Sequence, residues 1–423
     1  MARWIYTFCL YLLMPLILLR LLYRALRAPS YSRRIGERFG LLKTKPKPGC
    51  LWVHAVSVGE AIAAAALVKQ LQQRYPDKDI IITTMTPTGS ERVQALFGDS
   101  VVHCYAPYDL PGSIKRFLVR VQPAALIIME TELWPNTIHY CGQDGVAVLL
   151  ANARLSAKSA KGYQRLSALS SSMLGQLDAV AAQSPMDGER FTRLGLPPQR
   201  LQVTGSIKFD ISLSEPLQRS AEQLRLLLTA GERLVVLAAS THEGEEAMLL
   251  DALEGVIGAE VLLILVPRHP ERFDRVVSLC QQRGIATQRR SSGEPVSADT
   301  QVWVGDTMGE VLLFCGSADI VFVGGSLVVH GGHNLLEPAA WGRAIVTGNS
   351  VYNFLDISDK LRGAGGLAVV ENVEELSQQL RLLIEEGPRR RQMGAAALQV
   401  VTQNRGALDR LLAMIEALLQ RVQ

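Results

Sequence analysis

Asn334 and Glu337 stand three residues apart near the end of a glycine-rich stretch, Ile320 to Gly348, that reads IVFVGGSLVVHGGHNLLEPAAWGRAIVTG. An apolar run, Ile320 to Val323, stops at Gly324-Gly325. A second pair, Gly331-Gly332, precedes Asn334, Glu337 and Pro338, and a further apolar run ends at Gly348. The pattern spells strand, glycine loop, helix start and strand. Glycines let backbone N–H groups approach a ligand, and a helix N-terminus favours an anion. The stretch therefore points to a nucleotide or sugar phosphate held by backbone and one carboxylate. The same residues also fit a plain helix cap, because N-x-x-E is close to a capping box. Pro338 requires a local helix start under either reading. His330 and His333 lie in a glycine loop rather than on a helix face, so the reading is that no metal binds there.

Other reactive residues follow apolar runs. In LWVHAVSVGEA, Glu60 sits where a strand turns into a helix; the positive helix end is expected to keep it ionised, and an ionised carboxylate can take a proton from an alcohol. The plainer role is to offset the helix dipole. In LIIMETELWPN, Glu130 and Glu132 follow Met129 directly. Side chains alternate along a strand, so one acid can serve a site while the other is solvated or pairs with a lysine. Lys208 lies in TGSIKFD, and Arg268 and His269 follow a strand in LILVPRHPERF. A guanidinium there can fork onto a phosphate, or simply pair with Glu271. Gly305 and Gly309 bracket a loop in WVGDTMGEV that can present backbone groups to a base.

These residues need a frame at whose edge they can gather. Strand-like runs at Cys50–Val56, Ile80–Met85, Val101–Tyr105, Ala125–Met129, Ala147–Leu150 and Ala179–Ala182 alternate with helical patterns such as Glu60–Gln73 and Ser113–Val121. A second set lies at Leu234–Ala238, Glu260–Val266, Val302–Val304, Ile320–Val323, Ala344–Thr347 and Leu367–Val370. Alternating strand and helix predicts parallel α/β sheets, which bind ligands at the carboxyl ends of their strands. The expected fold class is α/β, with two Rossmann-like domains facing a central cleft. The expected divisions are an anchor over 1–27, a first domain over 28–207, a linker over 208–218, a second domain over 219–394 and a terminal helix over 395–423. Asp77-Lys78-Asp79 precedes a strand, at the wrong end of such a sheet for a metal-binding D-x-D. No GxGxxG follows the first strand, which argues against a dinucleotide dehydrogenase.

Charge and composition narrow the class. The chain of 423 residues has 48% apolar residues, 35 glycines and only 6% aromatics, as α/β globules do. Nine lysines and arginines against one acid, Glu37, fall between Arg20 and Lys47, so although the whole chain carries +4 the body from Pro48 onward is net acidic. That body is not built for nucleic acid. Trp4 to Leu19 carries no charge and the apolar run continues past Arg20, which predicts a membrane anchor, spanning or interfacial, with basic residues on the cytoplasmic side. The six cysteines form no CxxC pair and read as buried thiols of a reducing compartment.

Taken together, HAVSVGE, METELWPN, ANARLS, GSIKFD, ASTHEGEE, VPRHPERF, GDTMGE and GGHNLLEPAAWG resemble the bacterial 3-deoxy-D-manno-octulosonic acid (Kdo) transferases, glycosyltransferases of the GT-B architecture that act on lipid A precursors. The resemblance runs nearly end to end. It implies metal-independent transfer of Kdo from CMP-Kdo to lipid IVA in lipopolysaccharide biosynthesis, at the cytoplasmic face of the inner membrane and without a cofactor. It implies Glu60 as general base and transition-state stabilisation by Glu130 and Lys208. It places CMP against Arg268 and His269, against Gly309, Glu310 and Val311, and against Asn334, Leu335, Leu336 and Glu337. Another GT-B enzyme acting on a nucleotide sugar, such as an epimerase, is the alternative, and it would need no anchor.

Overall fold

A computed structural model of the chain describes residues 1–229, 233–258 and 260–421. The chain divides into two compact units. Unit 1 runs from Met1 to Lys208 and takes back the tail from Arg405 onward; unit 2 runs from Phe209 to Asn404.

Each unit is built on a seven-stranded, wholly parallel sheet. The strands of unit 1 are β1 (Cys50–His54), β2 (Ile80–Thr84), β3 (Val102–Tyr105), β4 (Pro123–Met129), β5 (Ala147–Ala153), β6 (Ala179–Ala182) and β7 (Leu201–Val203), in the order β3-β2-β1-β4-β5-β6-β7. Those of unit 2 are β8 (Leu234–Thr241), β9 (Val261–Pro267), β10 (Thr287–Arg289), β11 (Val302–Val304), β12 (Ile320–Val323), β13 (Ala344–Gly348) and β14 (Leu367–Val370), in the order β10-β11-β9-β8-β12-β13-β14. The order of unit 1 reverses between β1 and β4; that of unit 2 turns between β8 and β12, with β11 inserted between β9 and β10. Ligand sites of open α/β sheets form outside the carboxyl ends of the strands at such reversals.

Residues on both faces of the central strands are apolar because helices cover both sides. In β1, Leu51 and Val53 enter one core layer while Cys50 and Trp52 enter the other; in β8, Val235 and Leu237 alternate with Val236 and Ala238 in the same way. Strands β7 and β10 have no counterpart in the sequence reading. They are three-residue edge strands whose side chains are half-buried or exposed, so they lack an apolar run.

Three other expectations are corrected. The terminal helix expected over 395–423 is two helices, Gly387–Asn404 and Ala407–Gln420, separated at Gly406, which has φ +85°; residues 422 and 423 lie outside the described part. Its second half packs Ala407, Leu411, Leu412, Ile415, Leu418 and Leu419 into the core of unit 1. Burying each of the larger of these contributes about 2 kcal/mol, which explains why the tail returns. The stretch expected as a linker carries the 3₁₀ turn Ile207–Phe209 and the start of the helix Glu215–Thr229, because Phe209 is buried in the core of unit 2. All six cysteines are free thiols, but Cys9 is exposed on the N-terminal helix rather than buried.

Two helical glycines test the packing. A Cβ on Gly394 would sit 2.1 Å from the Gly342 carbonyl oxygen, whereas one on Gly142 meets nothing within 4 Å. Gly394→Ala is expected to destabilise the protein by about 1–3 kcal/mol in urea unfolding, despite the better helix propensity of alanine. Gly142→Ala should be neutral or mildly stabilising in the same measurement.

Candidate active site

In unit 1 the reversal between β1 and β4 gathers four carboxylate and ammonium groups. After β1 the chain runs through Ala55 and Val56 to Ser57, which caps the helix Val58–Arg74. The Ser57 hydroxyl accepts the Glu60 N–H at 3.2 Å and donates to Glu60 Oε1 at 2.9 Å, while the Val56 N–H donates to Glu60 Oε2 at 2.8 Å. Glu60 thus sits at the third position of a Ser57-capped helix, reaches back one residue beyond the usual capping box to Val56, and is also buried. The expectation that the helix end keeps it ionised is corrected: burial raises its pKa to about 7, and Glu132 and Glu130 add to the rise against the lowering by Ser57 and Val56. Desolvation outweighs the two hydrogen bonds that favour the ionised form.

Glu130 follows β4 with φ +57°, a left-handed conformation costly for a side chain of this kind. Its N–H donates to the Ala151 carbonyl at 2.9 Å, and its Oε1 meets Lys208 Nζ at 3.0 Å. Glu132 takes the other course and accepts the Trp134 indole N–H at 3.2 Å. Lys208 rides on the turn Ile207–Phe209, and the Ile207 N–H is held at 3.2 Å by Asn152 Oδ1. Asn152 itself has φ +52° at a bulge in β5, and its buried Nδ2 finds no partner among the described residues. Asn152 was not singled out in the sequence. Its signal was the ANARLS segment, but a bulge is invisible to an apolar-run count. His54, ending β1, bonds Thr83 through Nδ1 at 2.8 Å, and burial lowers its pKa to about 3, so it is a neutral ring.

In unit 2 the reversal between β8 and β12 is organised by Glu245, which is fully buried. Its two carboxylate oxygens accept four backbone N–H groups: His242 at 2.8 Å, Gly325 at 2.7 Å, Ser326 at 3.0 Å and Leu327 at 3.0 Å. The N–H of Gly324 goes to Ala239, that of Gly331 to Ser350 Oγ and that of Gly332 to Gly325. The glycine amides expected to cradle an anion are therefore already occupied. The glycines serve close approach instead: a Cβ on Gly324 would lie 2.7 Å from the Ser240 carbonyl oxygen, and Gly325 has φ +69°.

What the loop presents is a group of imidazoles and one guanidinium. Four of the seven histidines meet here. The ring of His242 stacks on His330 at 4.2 Å and on His333 at 5.1 Å, its Nε2 lies 2.8 Å from Nε2 of His333, and His269 stands edge-on to it at 5.5 Å. Burial, then the neighbouring rings and Arg268, lowers His242 and His333 to about 4, so both are neutral near pH 7. Arg268 follows β9 with its N–H on the Thr241 carbonyl; its guanidinium makes no hydrogen bond or ion pair with Glu271 or any other described residue. The ion pair in this neighbourhood belongs to Arg272, which clamps Glu246 at 2.7 and 2.8 Å.

Asn334 and Glu337 are joined directly, Asn334 Nδ2 donating to Glu337 Oε1 at 3.0 Å, while Asn334 Oδ1 accepts the Leu336 N–H at 3.1 Å. Burial raises the Glu337 pKa, opposed by Asn334 and by Arg268. Leu335 and Leu336 point into the core, so only their backbone can meet a ligand. Glu310 is held by Arg290 at 3.1 and 3.2 Å and by the Thr307 hydroxyl; with Gly309 at φ +85° it starts the helix Val311–Ser317. Gly305 is a packing residue, since a Cβ there would press on Phe314 and Val266 at 2.9 Å. The Asp77-Lys78-Asp79 turn lies before β2, at the amino edge, with Asp79 bonded to the Lys47 N–H. The sequence reading had given no role to His242 or Glu245.

Comparison with known proteins identifies the family. Residues 33–211 match the family model of 3-deoxy-D-manno-octulosonic-acid transferase (kdotransferase). The chain is 44% identical over 426 residues to the 3-deoxy-D-manno-octulosonic acid transferase of Haemophilus influenzae, covering 100% of both chains. It is 36% identical to that of Bordetella pertussis, over 98% of this chain and 99% of the other. Among solved structures, UDP-GlcNAc 2-epimerase from Neisseria meningitidis aligns with a TM-score of 0.56 at 13% identity, over 87% of this chain and 100% of that one, a likeness of fold alone. With two parallel Rossmann-like sheets of the GT-B kind and full-length kinship to these enzymes, the chain belongs to the 3-deoxy-D-manno-octulosonic acid (Kdo) transferase family of glycosyltransferases.

Proposed function

We propose that the chain transfers Kdo from CMP-Kdo to lipid IVA at the cytoplasmic face of the inner membrane, with inversion and without a metal or cofactor. The observation that carries the reading is Glu60: a buried carboxyl at the β1/β4 reversal whose pKa is raised to about 7, near the optimum for a general base at neutral pH. Glu60 takes the proton of the acceptor hydroxyl as its oxygen attacks the anomeric carbon of Kdo. The bond from that carbon to the phosphate oxygen breaks on the opposite side, and CMP departs with the electron pair. A single displacement inverts the anomeric carbon.

The ion pair of Lys208 with Glu130 sets the charge around the reacting sugar. Lys208 offers a cation to a sugar acid, and Glu130 an anion to an oxocarbenium-like centre. In unit 2, Arg268 and His269 receive the phosphate, the backbone of Gly309, Glu310 and Val311 receives the base, and Asn334 to Glu337 receive the ribose hydroxyls. CMP carries one phosphate rather than two. The unpaired guanidinium of Arg268 suits that charge, and the neutral imidazoles beside it supply hydrogen bonds. The apolar N-terminal helix is long enough to cross a membrane and supports a membrane-bound acceptor.

The direct test is incubation of the purified chain with CMP-Kdo and lipid IVA in EDTA, with products read by mass spectrometry. Absence of product from active substrates would overturn the reading. Since the base must be ionised, kcat/KM should fall about tenfold per pH unit below roughly pH 7, and Glu60→Gln should lose about 10²–10⁴-fold. Glu132→Gln removes a charge that raises Glu60, so the acid limb of its pH profile should move to lower pH. The same shift has a stability signature. Because the folded-state pKa is raised, the contribution of Glu60 is full below about pH 4.5 and is lost as pH rises through about 7. The melting temperature of Glu60→Gln relative to the parent chain should therefore be higher at pH 8 than at pH 4.

A further inference from the structure

The helix Ala2–Arg27 is about 39 Å long at 1.5 Å per residue, enough to cross a hydrocarbon core of about 30 Å. Its first two turns, however, are fastened to unit 1. Arg3 donates to Asn136 Oδ1 at 2.9 Å, the Thr7 hydroxyl donates to the same oxygen at 3.1 Å, and the Tyr6 hydroxyl donates to Asp109 Oδ2 at 2.9 Å. Asp109 and Asn136 are buried, and Asp109 also accepts the N–H groups of Asn136 and Thr137 and the Thr137 hydroxyl. The seat continues along the helix: Tyr6, Thr7, Leu10, Met14, Ile17, Leu21 and Ala25 are buried or half-buried at spacings of three and four. The chain that leaves the helix is fastened too, since Glu37 accepts the Tyr105 N–H and the Arg38 carbonyl accepts that of Tyr108. The helix start and the segment ten residues beyond its end are thus both tied to unit 1.

The opposite face carries Trp4, Phe8, Leu12, Leu16, Leu19 and Leu26, all exposed. Exposed Arg20, Arg24 and Arg27 follow, and the first acid in the chain is Glu37. A second copy of this helix offers no acid to meet these arginines, since residues 2–27 contain none. A bilayer with acidic headgroups matches both the apolar stripe and its basic end.

We propose that this helix does not span the membrane: held by the polar latch at Asp109 and Asn136, it lies in the plane of an acidic bilayer surface and seats unit 1 on it. A spanning helix would carry residues 3–7 to the far side of the membrane from Asp109. The proposal is independent of the reaction assigned above.

The test uses the full chain with Cys9→Ser, labelled at Phe8→Cys, Leu16→Cys or Leu26→Cys with an environment-sensitive fluorophore and bound to phosphatidylglycerol–phosphatidylcholine vesicles. Nitroxide lipids should report the same shallow depth at all three positions. A label at position 16 near the bilayer centre, with positions 8 and 26 at opposite depths, would overturn the proposal. Replacing Arg20, Arg24 and Arg27 with glutamine should weaken binding about fivefold per residue on acidic vesicles and little on neutral ones. No vesicle binding, with a concentration-dependent dimer in its place, would overturn the lipid assignment.

Discussion

A carboxylate buried beside a parallel sheet must be met by hydrogen-bond donors, and in this chain three such carboxylates fix the segments around them. Glu60 is met by Val56 and Ser57, Asp109 by Asn136, Thr137 and Tyr6, and Glu245 by four backbone N–H groups. The donors to Glu60 and Glu245 come mainly from loops after strands, those to Asp109 from the first turns of two helices. In unit 2 the consequence is chemical. Because Glu245 consumes the amides of Gly325, Ser326 and Leu327, that segment has no free backbone donor left, and the groups beside it are the Arg268 guanidinium and the imidazoles.

The burial that demands these donors also tunes the groups. Glu60 stays in reach of neutral pH because desolvation and two neighbouring acids are only partly offset by its hydrogen bonds. The imidazoles of His242 and His333 stay neutral for the converse reason, since a buried cation beside Arg268 is disfavoured. Lys208 owes its place to backbone strain: Glu130 and Asn152 both occupy left-handed conformations, one aiming a carboxylate at the lysine and the other pinning the turn that carries it. Strain of this kind persists only where surrounding structure over-determines it.

Most of the frame was legible from local pattern. The core strands β1, β4, β8, β9 and β12 are continuous apolar runs because both faces are covered, and their carboxyl ends pointed to Glu60, Glu130 and Arg268. The edge strands β7 and β10, the break at Gly406 and the return of the tail to unit 1 were not legible, since each depends on partners distant in the chain. The same holds within the site. The capping pattern at Ser57 and Glu60 could be read, but not which effect would govern the carboxyl, because desolvation is a property of the packed environment.

The sequence by itself determined the α/β class, the parallel sheets, the family motifs and the residues that close each central strand, because strand period, apolar runs and turn residues are encoded within a few positions. Only the tertiary structure decided that the glycine-loop amides are already spent within the protein, that of Gly325 on Glu245, that Glu60 is lifted rather than held down, that Glu130 and not Glu132 meets Lys208, and that the N-terminal helix is latched to Asp109. Each of these turns on burial or on a donor and acceptor brought together from far apart in the chain, and neither quantity exists until the chain has folded.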